Sequence, residues 1–155
     1  MKNRTQFLRV GFFTLTLAAI LFGRDAAAQT GPYQFYALSP CRVVDTRNPN
    51  GVNGGPGLGQ ATRRDFSIRG RCGVPTTAKA VSLNVTITAA STTSWLALWP
   101  SGQTMPYVST INFTNSDPAL ANGAVIGLSA NAQDLSVYNS TGTVHVILDV
   151  NGYFQ

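Results

Sequence analysis

Apolar and polar positions alternate with period two along much of this chain. Between Ala80 and Thr88, Val81, Leu83, Val85 and Ile87 share one side, and Ser82, Asn84, Thr86 and Thr88 share the other. That pattern predicts a strand with one buried and one wet face. Thr143–Val150 repeats it, with Val144, Val146, Leu148 and Val150 opposite His145, Ile147 and Asp149. Weaker alternation predicts strands over 34–38, 42–45, 63–68, 95–99, 108–113, 124–128 and 135–138. Turn chemistry falls between them at Asn50-Gly51, Pro100-Ser101-Gly102, Asn122-Gly123 and Ser140-Thr141-Gly142. No segment offers the ten or more helically periodic residues that a βαβ crossover needs; 76–80 has room for one short turn. Short strands separated by regular turns predict an all-β, antiparallel β-sandwich, immunoglobulin-like or jelly-roll-like. The longest irregular stretch, 46–61 (TRNPNGVNGGPGLGQA), is too rich in Gly and Pro for a ladder and reads as a flexible surface excursion.

The first 28 residues follow a different pattern. Lys2, Arg4 and Arg9 precede an apolar run from Val10 to Phe22, and Ala26-Ala27-Ala28 supplies small residues for cleavage. This is the pattern of a secretory signal peptide, and the run is short of the ~20 apolar residues a spanning helix needs. The expected organisation is therefore a signal peptide at 1–28 and a single sandwich domain at 29–155, secreted to the exterior, the cell surface or the periplasm. No second run of membrane-spanning length follows.

Composition sharpens the picture. Only 11% of residues are charged and glutamate is absent, so the surface must be built from Ser, Thr, Asn and Gly. The formal charge of +5 is misleading. Four of the basic residues and one Asp lie before residue 29, which leaves the rest near +2. The one basic cluster beyond it, Arg63, Arg64, Arg69 and Arg71, is interrupted by Asp65 and lacks aromatic interleaving beyond Phe66. Nucleic acid is not an expected partner. The only two cysteines, Cys41 and Cys72, read as one disulfide in an oxidising compartment. It would close a loop of about 30 residues, contributing ~3–4 kcal/mol in the chain-entropy model.

Several motifs follow one another along the chain, with no internal repeat. They are Pro40-Cys41-Arg42-Val43-Val44-Asp45-Thr46-Arg47, Arg71-Cys72-Gly73-Val74-Pro75, 80–86 (AVSLNVT), 136–140 (SVYNS) and 149–154 (DVNGYF). Jointly this order resembles a β-rich domain of secreted and surface proteins of soil bacteria, found alone, in tandem or appended to larger proteins. The resemblance spans 33–155. It implies a secreted all-β module with a paired cysteine. It carries no established activity and so no catalytic residues.

Catalytic chemistry is thinly provided. His145 is the sole imidazole, and no Gly-x-Ser-x-Gly elbow marks a nucleophile. Asp45 and Asp149 could act as a carboxylate pair, but an ion pair with Arg42 and Arg47 suits them better, since a carboxylate in an apolar strand needs a partner. Asp45, Asn48, Asn50 and Asn53 supply loop oxygens without the acids of an EF-hand, so neither metal nor cofactor is expected. The glycines of 51–59 lack the ending of a phosphate loop.

The aromatic residues give the binding hint. Trp95 and Trp99 are four apart and share a face of a regular strand, with Tyr107 beyond the following turn. Exposed, the three would form a platform for sugar rings. Buried, the tryptophans would be core. The expected function is a noncatalytic surface or matrix module. The alternatives are a carbohydrate-binding module, a fibre subunit donating 29–38 to a neighbour, and a small hydrolase. Polysaccharide or other surface proteins are the expected partners.

Overall fold

The computed structural model describes residues 31–155; the signal-peptide reading lies outside them. Eight strands form: β1 (Phe35–Asp45), β2 (Thr62–Phe66), β3 (Ala80–Thr88), β4 (Ser94–Pro100), β5 (Ile111–Phe113), β6 (Ala119–Gly127), β7 (Leu135–Asn139) and β8 (His145–Phe154). They make two four-stranded antiparallel sheets, ordered β1-β8-β3-β6 (sheet I) and β2-β7-β4-β5 (sheet II). β1 pairs with β8, β2 with β7, β3 with β6 and β4 with β5. The chain thus behaves as one long hairpin wrapped into two layers. Of the two sandwich types expected, this eight-stranded order is that of the jelly roll. No helix occurs among the described residues, and hence none long and apolar enough to cross a membrane.

The core follows from the alternation. Val81, Leu83, Val85 and Ile87 of β3 and Val146, Leu148 and Val150 of β8 face inward from sheet I. They meet Phe66, Leu96, Leu98, Leu135 and Val137 of sheet II, all at most 4% exposed. Full burial of each such side chain contributes roughly 1.5–3 kcal/mol, so this layer is the main stabilising term.

Three departures from the sequence pattern have identifiable causes. The stretches 34–38 and 42–45 are one strand, β1, because register shifts against β8 let Ser39 and Pro40 pass without breaking the ladder. A second shift makes Val43 an extra residue, so Val43 and Val44 are both buried. β8 runs on to Phe154 because Asn151 is an extra residue opposite Ser82 and Leu83. It interrupts the alternation without ending the strand. Asn122-Gly123, expected as a turn, lies in the middle of β6. As an edge strand β6 is mostly exposed, so its residues are not forced into alternation and glycine is tolerated there.

Phe35 explains one glycine. Its ring lies over Gly152, where an added Cβ would come within 2.3 Å of it. The same ring meets Phe154, its cross-strand partner, at 5.1 Å between centroids. Of the 29–38 segment that the fibre reading would donate to a neighbour, residues 35–37 are already paired within their own sheet.

The 46–61 stretch is fastened rather than loose. Arg64 donates to the carbonyls of Gly51, Gly54, Gly55 and Pro56 while its guanidinium lies 4.9 Å from the Phe66 ring centroid. Burial pulls the Arg64 pKa below its ordinary value. Asn53 donates to Val43 O and Ser67 O and accepts from Ser67 N–H. Leu58 is buried and bridges to Val144. Sequence inspection missed this because carbonyl-rich glycine segments show no partner until a guanidinium arrives from another strand.

Candidate functional site

The site expected from sequence lies on the outer face of sheet II. β4 sends Leu96 and Leu98 into the core, so Trp95, Ala97 and Trp99 turn outward. The structure then separates the two tryptophans. The segment from Ser101 to Thr110 folds back across the C-terminal half of β4. Trp99 is 4% exposed, and its indole N–H donates to Gln103 O at 3.0 Å. Leu98 N–H donates to Thr110 Oγ1, and Thr110 N–H to Leu96 O, which anchor the far end of the segment. Trp99 therefore supports the segment instead of presenting a ring, which corrects its expected place in an exposed platform.

Trp95 remains accessible. It is half-buried and forms one wall of a cleft of about 300 Å³, completed by Met105, Pro106, Tyr107, Val108, Ser109 and Asn112. Tyr107 is fully exposed. Asn112 is the cross-strand partner of Trp95 on β5 and donates to Ser109 Oγ at 3.1 Å. Trp95 also borders a second depression of about 520 Å³, richer in hydroxyl side chains, whose lining includes Thr93, Thr114, Asp117, Ser140 and Thr141. One indole thus stands between an apolar cleft and a hydroxyl-rich one.

Tyr138 of β7 was not singled out in the sequence. It lies opposite Ala97, and its ring leans against Trp95 with centroids 5.5 Å apart. The small Ala97 side chain, set between the two tryptophans, leaves space for this contact. Arg63 lies opposite Tyr138 on the far side, and its Nε is 3.3 Å from Asp65 Oδ1, which also accepts from Ser136 Oγ. The face therefore carries an aromatic strip bordered by a neutralised charge pair. Cross-strand register, which a single strand pattern does not contain, was the missing signal for Tyr138.

The ion-pair candidates assemble on the outer face of sheet I. Arg42 faces Asp149 across β1 and β8 and donates to both carboxylate oxygens, at 2.8 and 3.1 Å. The Val43 bulge places Asp45 on the same face, 3.5 Å from Arg42. Asp45 is 6% exposed and accepts two side-chain bonds and one backbone bond from Arg47. The Arg47 hydrogen bonds are the main reason that the Asp45 pKa falls to about 2, with Arg42 helping. Asp149 raises the Arg42 pKa and Asp45 raises that of Arg47. The Asp45 oxygens once weighed as metal ligands are thus engaged by guanidinium groups.

A second buried carboxylate was overlooked. Asp134 is 4% exposed and accepts from Ile68 N–H, Arg69 N–H and the Arg69 guanidinium. Arg69 also donates to Ala78 O and Ser129 O, so the pair fastens two loops, 67–79 and 128–134, at one end of the sandwich. With Arg63 beside Asp65 and Arg64 on the glycine loop, three of the four arginines in the basic cluster serve contacts within the domain.

Cys41 and Cys72 are joined, tying β1 to the 69–74 turn. His145 is half-buried, with Nδ1 3.1 Å from Thr46 Oγ1, which accepts from Val146 N–H. Asp149, expected to form an ion pair rather than a carboxylate pair with Asp45, is held by Arg42. Neither a protein-family model nor a curated protein matches the sequence.

Proposed function

We propose that this protein is an exported, noncatalytic surface or matrix module that binds a neutral polysaccharide through the Trp95 cleft. The observation that carries the reading is the half-buried Trp95, set between an apolar cleft and a hydroxyl-lined depression. A sugar ring has apolar C–H faces and polar edges, so it needs both kinds of surface at once. Trp95 and Tyr107 offer the flat faces. Ser109, Asn112, Thr114 and Thr141 offer donors and acceptors for hydroxyls. The Arg63–Asp65 pair leaves no large field of one sign on this face, which favours an uncharged ligand over an acidic one. The Cys41–Cys72 disulfide and the apolar run before residue 29 support export.

The test is a glycan-array screen of residues 29–155 beside Trp95→Ala. Retention on neutral glycans that Trp95→Ala abolishes is expected. Binding only to acidic glycans, or equal binding by the variant, would remove this reading.

A further inference from the structure

Sheet I ends in an unusually bare edge. β6 is nine residues long, pairs with β3 without a bulge, and carries no charge and no internal proline. Alternate residues of an edge strand turn N–H and C=O groups away from the sheet. Natural edges are guarded by Lys, Pro or bulges. β6 has none of these, and it exposes Leu120 and Val125, at 37% and 60%. β5 covers only residues 94–96 of β4, so a groove of about 290 Å³ opens beside the C-terminal half of β6. Leu98, Trp99, Pro106 and Ile126 help to line it.

We propose that β6 is the interface for a second copy of this chain, pairing antiparallel with its own counterpart about a two-fold axis through Gly123. The strand is its own complement in this register. Ala119 meets Gly127, Leu120 meets Ile126, Ala121 meets Val125, and Asn122 meets Ala124. Every opposed pair lies on the same face, and none sets like charges against each other. Leu120 of each copy arrives beside Ile126 of the other, where the groove opens, so both grooves are filled by symmetry. Gly123 and Ala124 are small, and the Asn122 amide is held by Thr110 O, so the strands can approach closely at the axis. The two sheets become one of eight strands, joined along about 30 Å. A charged partner strand would bury an unpaired charge against the apolar groove, so the uncharged copy of β6, which brings Leu120 to it, fits best. The interface is narrow, and the dimer is therefore reversible on dilution.

Sedimentation velocity of the wild-type protein up to roughly 0.5 mM should show a monomer–dimer equilibrium. Val125→Lys, at a position exposed in the monomer, should raise the dissociation constant by about tenfold or more. Gly123→Cys has open space around its Cβ and lies on the axis, where opposed Cα atoms are about 4.5–5.5 Å apart, within disulfide reach. With diamide as oxidant it should form a covalent dimer. Ala119→Cys, eight residues from its own image, should not. A monomer at every concentration, a dimer unaffected by Val125→Lys, or equal cross-linking by both cysteine variants would overturn the proposal.

Discussion

Arg42 and Asp149 face each other across β1 and β8, and Arg42 donates to both carboxylate oxygens. The side chains are 49% and 24% exposed, so water competes for both. A partly exposed pair of this kind contributes about 1 kcal/mol. Asp149 lies amid Val146, Leu148 and Val150 in sequence, but the strand period sets it on the opposite face, and there it stands, partly exposed on the outside of sheet I. Asp149→Ala should lower stability by about 1 kcal/mol, whereas Asp134→Ala, which strands the mostly buried Arg69 and two backbone N–H groups, should cost ~3–5 kcal/mol. Urea unfolding of the two variants checks the ranking, and equal losses would contradict it.

Acid should act through Asp45. Its folded-state pKa of about 2 lies below the ordinary 3.8, so its contribution is complete above the unfolded value. It is lost as pH falls from about 4 toward 2. Because Arg47 is half exposed, the effect is on the order of 1 kcal/mol. Chemical denaturation at pH 5, 4, 3 and 2 should show wild type losing more stability than Asp45→Asn over that interval. Parallel curves would place the acid-sensitive group elsewhere.

Arg64→Met should free the glycine-rich segment. It removes donors from four carbonyls while retaining an apolar stem over Phe66. Amide hydrogen exchange should accelerate across 51–57, with little change in β3 and β8. Unchanged protection there would show that Asn53 and Leu58 suffice.

Cys41→Ser with Cys72→Ser should cost ~3–4 kcal/mol on the chain-entropy model, with the fold retained under mild conditions. Thermal unfolding of the double variant measures it. A loss far below this would indicate that the unfolded chain is already compact around β1 and the 69–74 turn.

The chain declared its layers more readily than its surfaces. β3 was legible to the residue, since each inward position carries Val, Leu or Ile and, after Ala80, each outward one Ser, Thr or Asn. Selection by burial acts on every position of such a central strand. β6 was half missed because exposure relaxes that selection, and Asn122-Gly123 then imitates a turn. In the site, the shared direction of Trp95 and Trp99 followed from strand period alone. Their different fates depended on the return of 101–110 across Trp99, a tertiary event that period cannot report. Tyr138 and Arg63 join the face through register with β4 and β2, which two strands define together.

Sugar binding in the cleft depends on the Trp95 ring, and titration of neutral oligosaccharides followed by indole fluorescence reads that ring itself. In Trp99→Phe, Trp95 is the only indole of residues 29–155, so the signal reports the cleft. A neutral hexasaccharide drawn from the array hits should shift and enhance its emission saturably and protect it from iodide. Trp95→Ala, retaining the Trp99 indole, should show neither response. Emission that no neutral oligosaccharide alters in either the wild type or Trp99→Phe, with iodide quenching unchanged in both, would contradict the assignment of the cleft.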